Sequence, residues 1–310
     1  MNRYELELPV AELDLPLCVS SGQVFRWERL PSGAWLGVDG DAWYRVETGV
    51  CAHDRAVRPK VERPLDALRV CVESNRPPDR FRSLFRLEAS LPEVERAILD
   101  RGPELATFVR ALPGLRVLRP SDPSEVLFSF LCTPNNNLER ITRMVAALAE
   151  YGEPIAELHG RVAHRFPDAA RIAAIPESEL RAKGFGYRGR SIPNVARQLL
   201  RMPEDWLAGL SKLPYVEAHS KLCGLDGVGP KLADCVCLFG LGFLEAAPVD
   251  THLWQAACRL YFPHLRGKSL TESRYREVGG FLRARFGPLT GWAHQYLFYD
   301  NLLRTRRRPQ

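Results

Sequence analysis

Two patterns of apolar and polar positions divide the chain. Over the first eighty or so residues, short runs with aromatic and β-branched members, "GQVFRWERL", "GAWLGV" and "AWYRVET", are separated by the turn signals "PSG" and "DGD". They predict an antiparallel meander. "NRPPD" at 75–79 breaks this pattern and marks a boundary. Beyond it the apolar positions recur at helical spacing. Leu91, Val94, Ala97 and Ile98 form one stripe, ending at Gly102. In "NNNLERITRMVAALAEYG", Leu138, Ile141, Met144, Val145 and Leu148 form another, stopped by Gly152. Asp122 or Ser124 caps "DPSEVLFSFLC", and "PESELRAKGFG", "SIPNVARQLLR" and "YVEAHSKLCGL" continue the helical style. The fold class is therefore α+β and mainly α. An antiparallel β-rich domain over 1–80 precedes helical domains over 81–310.

One helix pair stands out. "YVEAHSKLCGL" is a helix, "DGVG" a tight turn, and "PKLADCVCLFG" the next helix, with Pro230 at its first position and Gly240 near its end. This is a helix–hairpin–helix at about 215–240. Gly227 and Gly229 let the backbone turn sharply and approach a ligand closely. The first N–H groups of the second helix lack intrahelical partners and suit a phosphate oxygen. The same geometry also serves an αα-corner that only packs two helices.

Composition changes this picture little. The 310 residues are 45% hydrophobic and 26% charged, ordinary for a globular protein, and the net charge of +6 is compatible with a polyanionic partner. The eight cysteines, at 18, 51, 71, 132, 223, 235, 237 and 258, include no C-x-x-C pair, so neither a zinc ribbon nor an iron–sulfur run is expected. Buried free thiols in an intracellular, reducing setting are the expectation. The first residues lack an apolar h-region, and the longest apolar stretch, "VCLFGLGFL", is far short of a membrane span. No membrane association is expected. The basic tail "RTRRRPQ" reads as a solvated end.

The chemistry concentrates around Lys231, at the positive end of a helix dipole, with Cys235 one turn further on. An amine is a nucleophile only when neutral. The dipole contributes about 0.3–1 kcal/mol against the charge, under about one pKa unit, whereas burial contributes several. Desolvation would have to supply most of the activation, and taken alone this lysine reads as a solvated helix start. Nineteen residues on, Asp250 in "PVDTHLW" precedes a helical run. It reads as the helix N-cap, and a cap also aims a carboxylate at one place, where it would stabilise a developing positive charge.

"LDGVGPKLADCVCLFGLGFLEAAPVDTHLW" resembles the helix–hairpin–helix, Gly/Pro…Asp signature of DNA base-excision glycosylases. With "SGQVFRW" (21–27), "LFSFLCTPNNNLERIT" (127–142), "GFGYRGR" (184–190) and "GWAHQYLF" (291–298), it is similar to the eukaryotic-type 8-oxoguanine DNA glycosylase/AP lyases, in order over nearly the whole chain. The resemblance implies base-excision repair of duplex DNA carrying 8-oxoguanine opposite cytosine. Lys231 would attack C1′, expel the base and form a Schiff base, and β-elimination would then nick the strand. Asp250 would stabilise charge on the sugar. The Gly22 carbonyl would accept the N7–H that distinguishes 8-oxoguanine from guanine, with the β-rich domain contributing to lesion recognition. Cys235 and Phe298 would sandwich the flipped base. Asn135 would fill the gap in the duplex, Arg140 and Arg188 would read the orphaned cytosine, Tyr187 would wedge the stack, and His252 would reach a phosphate. Carbonyls of Cys223, Leu225 and Val228 would hold a structural sodium, potassium or calcium ion. No redox or organic cofactor and no iron–sulfur cluster is implied, and a monomer suffices because one extruded base needs one pocket.

Some residues keep plainer readings beside these. Asn137 serves as the cap of "LERITRM", Tyr187 as a turn aromatic and Phe298 as core. One departure from the family pattern concerns the lesion pocket. Where these enzymes carry a glutamine that reads the Watson–Crick edge, this chain has His294, one turn before Phe298. Gln295 is rotated about 100° away on helix geometry. A histidine donates or accepts according to its protonation, which leaves that edge and the opposite-base preference open. Two other readings also stand at this point: a monofunctional glycosylase for another damaged base, which would not need Lys231, and a non-catalytic DNA-binding module, which would need neither Lys231 nor Asp250.

Overall fold

The computed structural model describes residues 1–50 and 67–306. Cys51 and the last four residues of the basic tail lie outside them. Five antiparallel strands form the N-terminal sheet: β1 (Asn2–Pro9), β2 (Trp27–Arg29), β3 (Trp35–Asp39), β4 (Ala42–Val50) and β5 (Ala67–Ser74), in spatial order β1-β5-β4-β3-β2. β2, β3 and β4 make the expected meander, and β5, which the sequence pattern did not mark, extends it. β1, which the turn signals did not mark, adds to the far edge with Leu6 opposite Val70. "GQVFRWERL" contributes a strand only from Trp27. The residues before it bend, because Gly22 takes a positive φ of 78°.

One face of the sheet is apolar. Leu6, Tyr44, Val46, Val70 and Val72 pack there with α1 (Leu15–Ser20) and α2 (Pro78–Leu84), whose Phe81 and Leu84 are buried. This gives a satellite core beside the much larger one that unites the helices.

Eight helices of the helical body place the site, most of them bounded by expected signals. α3 (Pro123–Leu131) is capped by Asp122, whose carboxylate accepts from the Ser124 N–H at 2.8 Å. α4 (Leu138–Ala149) is capped by Asn137, which accepts from the Arg140 N–H at 2.9 Å. α5 (Arg188–Leu199) starts three residues before "SIPNVARQLLR" and carries Pro193 inside it. α6 (Tyr215–Cys223) and α7 (Pro230–Cys235) are the hairpin, with α7 running on through a π turn over Val236–Gly240. α8 (Thr251–Leu260) and α9 (Glu272–Phe286) follow, and α10 (Thr290–Arg306) closes the fold. Among the described residues no helix is long and apolar enough to cross a membrane. The seven described cysteines are free, and Cys18, Cys132, Cys235, Cys237 and Cys258 are buried.

A buried ion pair ties the sheet to this body. Arg26, just after the Gly22 bend, reaches Glu125 of α3 at 3.0 Å and lies 5.9 Å from the Phe166 ring centre. Burial pushes the Glu125 carboxyl up to about 7, with the Arg26 charge pulling the other way. A folded-state pKa raised above the unfolded one makes the native state the tighter proton binder between the two values. The stabilising contribution is present below the ordinary carboxylate range and is lost as pH rises through about 7. Between about pH 5 and 7.5, the thermal midpoint of the wild type is expected to decline more steeply than that of Glu125→Gln. Parallel profiles for the two proteins would refute this.

Candidate active site

The hairpin turn is built by one obligatory glycine. Gly227 has φ 72°, in the left-handed region, whereas Gly229 is extended at φ −84°, ψ 175°. The expectation that both glycines serve the turn is thus corrected. Gly229 is the N-cap of α7 and offers no side-chain cap, and a Cβ added there would meet nothing within 4 Å. The start of α7 is thus left without a side-chain cap beside exposed Gly229 and Pro230, and its first N–H groups, from Lys231 onward, lie at the positive end of the helix.

Lys231 sits in the first turn of α7 and leans into a cavity of about 840 Å³. It is half-buried rather than enclosed. Its Nζ lies 3.5 Å from Thr133 Oγ1 and 5.5 Å from the centre of the Phe130 ring, neither of which was anticipated from the sequence. The helix below it is anchored by Asp234, which is fully buried. That carboxylate accepts from Tyr215 Oη at 2.5 Å and from Tyr275 Oη, tying α7 to α6 and α9. His219 donates from Nε2 to the Pro230 carbonyl at 3.1 Å. The hairpin lysine is thus carried on a short helix held by three side chains from two neighbouring helices.

Asp250 both caps α8 and lines the cavity. Its carboxylate accepts from the Leu253 N–H at 2.8 Å. Cys235 is buried in the wall one turn beyond Lys231. Burial pushes its thiol up to about 11 against the pull of the Lys231 charge, so it presents an apolar S–H surface at neutral pH and not a thiolate. Phe298 of α10 lines the same cavity, as do Gly22 and His294. Gly22 is pressed against α4 and α10: a Cβ there would come within 3.2 Å of Leu138 and 3.9 Å of Phe298. The expectation that Gln295 turns away from the pocket is corrected too. Gln295 lines it, and its amide donates to the Ser21 carbonyl at 3.3 Å, steadying the bend that presents Gly22.

His294 lies flat against Phe298, with ring centres 5.8 Å apart and planes 8° from parallel. Its Nε2 donates to the Pro248 carbonyl at 3.1 Å. Burial holds it down to about 4, with Asp250 raising and Lys231 lowering the value, so the ring is neutral at neutral pH. His252, at the rim, meets Phe298 edge-on at 5.8 Å. Asn301 accepts from Arg259 Nη1 at 3.0 Å, which fixes its amide the other way round toward His252. Asn301 Nδ2 then donates to His252 Nδ1 at 3.4 Å. His252 therefore carries its proton on Nε2.

The remaining predicted residues form a rim of two loops. Asn135 is exposed and holds a positive φ of 49°, a strained conformation for a residue other than glycine. Tyr187 is 56% exposed, and its hydroxyl donates to the Pro134 carbonyl at 3.4 Å. Arg140 is exposed and donates to the Gly184 carbonyl at 3.0 Å. Arg188 differs from its neighbours: only 3% exposed, it stacks 4.6 Å from the Tyr187 ring centre and donates to the Pro134 carbonyl, with Nε lacking a partner among the described residues. Arg188 and Tyr187 thus brace the Asn135 loop in this structure. The Cys223, Leu225 and Val228 carbonyls belong to the hairpin, where Leu225 accepts from the Val228 N–H at 3.1 Å. Among the described residues no cluster of three or more His, Cys, Asp or Glu side chains suits a metal ion.

An apolar-walled cavity with an amine, a carboxylate, a thiol face and an aromatic face suits a flat ring attached to a sugar. The exposed helix start beside it suits a phosphate. Comparison with known proteins agrees with this chemistry. Residues 5–127 match the 8-oxoguanine DNA glycosylase N-terminal domain, and residues 128–279 match the HhH-GPD superfamily of base excision DNA repair proteins. The chain is 35% identical over 307 residues to the N-glycosylase/DNA lyase OGG1 of Arabidopsis thaliana, covering 96% of this chain and 80% of that one. It is 32% identical over 242 residues to the N-glycosylase/DNA lyase of Saccharomyces cerevisiae, covering 69% and 64%. The solved 8-oxoguanine glycosylase/lyase of Clostridium acetobutylicum, in complex with duplex DNA containing cytosine opposite 8-oxoG, superposes with a TM-score of 0.79 at 26% identity, covering 95% of this chain and 93% of that one.

Proposed function

The chain belongs to the 8-oxoguanine DNA glycosylase family of helix–hairpin–helix base excision repair proteins, and from that premise we propose how its cavity performs the reaction. The protein is a bifunctional DNA glycosylase/AP lyase that acts on duplex DNA. Its lesion is 8-oxoguanine paired with cytosine. A base inside the duplex shields its own C1′, so the nucleotide is first extruded. Asn135 enters the vacated space from its strained loop, Tyr187 wedges the neighbouring stack, and Arg140 approaches the orphaned cytosine. Arg188 holds the Pro134 carbonyl and Tyr187, and joins Arg140 only if the rim loop releases it. The Gly229 N–H, the first N–H groups of α7 from Lys231 onward and the Nε2–H of His252 bind backbone phosphates.

The extruded base slides between the Cys235 thiol and the Phe298 ring, and the Gly22 carbonyl accepts its N7–H. The Lys231 amine, in its uncharged form, attacks C1′. The glycosidic bond breaks, its electron pair leaves with the base, and the sugar gains positive character that the Asp250 carboxylate stabilises. Opening of the sugar ring gives a Schiff base on Lys231. Loss of a C2′ proton then expels the 3′ phosphate and cuts the strand. The observation that carries this reading is the convergence of Lys231, Asp250, Cys235, Phe298 and Gly22 on one cavity beside the hairpin.

A single chain suffices for these steps, and the protein acts as a monomer. The oxygen donors offered by Cys223, Leu225 and Val228 suit a hard cation such as sodium, potassium or calcium, and Leu225 keeps a second lone pair beyond its bond to Val228. Such an ion would stiffen the turn, and the chemical steps do not pass through it. Borohydride added during turnover of an 8-oxoguanine:cytosine duplex is expected to trap one covalent protein–DNA adduct, mapped by peptide mass spectrometry to Lys231. Tight binding with no adduct would leave a glycosylase without lyase chemistry, or a binding module.

A further inference from the structure

His294 is 4% exposed and lines the lesion cavity, and its two ring nitrogens are unequally used. Nε2 donates to the Pro248 carbonyl, which is an acceptor only, so Nε2 carries the proton. Nδ1 then has a lone pair, and no group among the described residues satisfies it. A buried acceptor left unpaired loses its bonds to water without replacing them, and so favours a ligand that donates to it. Stacking on Phe298, the packed ring cannot turn freely to exchange the two nitrogens.

We propose that His294 Nδ1 is a specificity-determining acceptor that reads the N1–H of the extruded 8-oxoguanine, so that this pocket selects a purine with a hydrogen-bond donor at N1. The inference rests on the reading of the cavity as the lesion pocket. A glutamine at this position would offer an acceptor and a donor and could turn its amide to suit the base. Neutral His294, with its one N–H spent on Pro248, offers an acceptor alone. An 8-oxo-guanine or 8-oxo-hypoxanthine ring supplies N1–H. An 8-oxo-adenine ring keeps the N7–H that the Gly22 carbonyl reads, but its N1 is a lone pair, so two acceptors would face each other. Discrimination between these bases therefore falls to His294 and not to Gly22.

The test is single-turnover base release from one duplex sequence carrying 8-oxoguanine, 8-oxohypoxanthine or 8-oxoadenine opposite cytosine. The proteins are wild type, His294→Asn and His294→Leu. The wild type is expected to release the first two at rates within about tenfold of each other and 8-oxoadenine about 100-fold more slowly. His294→Asn, whose Oδ1 takes the place of Nδ1, keeps that ratio. His294→Leu, which has no acceptor, reduces it to below about tenfold by slowing 8-oxoguanine release. Comparing ratios between proteins cancels the intrinsic lability of each glycosidic bond. Wild-type release of 8-oxoadenine as fast as of 8-oxoguanine would overturn the proposal, as would an unchanged ratio in His294→Leu. Slow release of 8-oxohypoxanthine, matching 8-oxoadenine, would assign the acceptor to the 2-amino group and overturn the N1 assignment. Those outcomes leave the glycosylase reading intact, whereas failure of the wild type to release any of the three bases overturns both.

Discussion

Lys231→Gln is expected to abolish both borohydride trapping and strand cleavage and to slow 8-oxoguanine release by about 1,000-fold or more. Glutamine preserves the length of the side chain and its polarity but has no nucleophilic lone pair on nitrogen. Loss of a nucleophile that acts as one unit with its neighbours removes most of the rate enhancement at a stroke. Binding is expected to survive. The amine's neighbours are Thr133 and the Phe130 ring, the hairpin is held by Gly227 and the Asp234 anchor, and none of these depends on the lysine charge. Measured on one duplex, the variant should bind with a Kd near that of the wild type while turnover falls. Base release within tenfold of the wild type would remove Lys231 from the first chemical step.

The second large effect belongs to Asp250, and it separates two functions of one carboxylate. Asp250→Asn keeps an oxygen that accepts from the Leu253 N–H, because asparagine caps helices about as well as aspartate. Its unfolding midpoint should stay within a few degrees of the wild type. Base release should nevertheless fall by about 100- to 1,000-fold, the range typical of removing one preorganised electrostatic group. Asp250→Ala loses the cap as well and should be destabilised by about 1 kcal/mol. If Asp250→Asn were as active as the wild type, the carboxylate would be a cap and nothing more. The experiment requires both variants, since activity lost with Asp250→Ala alone does not distinguish a missing charge from a loosened helix.

These residues were legible in the sequence for a local reason. A hairpin with Gly227, Pro230 and a following lysine, and a cap aspartate after a proline, announce themselves within a few residues, and the structure brings them to one cavity. The helices of the body were equally plain, since Asp122, Asn137 and Gly102 end or begin them by side-chain or backbone geometry that any short window reveals. Strand β1 lacks a turn signal to frame it, although Tyr4, Leu6 and Leu8 alternate with charged residues. Other features have no local signature. Asp234 reads as one more polar position on a helix until Tyr215 and Tyr275 arrive from elsewhere in the fold. Helix geometry turned Gln295 away from Phe298 correctly as an angle, but the bend around Gly22 wraps far enough to meet it. Arg188 looked like an open reader of bases, and burial against Pro134 and Tyr187 could only come from packing.

The bond from Gln295 to Ser21 joins residues 274 positions apart. Contacts of such span close a long loop before they return any enthalpy, and they are expected to form late in folding. During synthesis, the hairpin that bears Lys231 emerges before the helix that completes the cavity around it. An immature chain would thus own its reactive amine before it owned the means to choose a lesion. In the proposed mechanism the amine acts only on a sugar delivered through that pocket, and the order of assembly is then itself a safeguard: capacity to cut DNA would arrive together with discrimination, with the final helix.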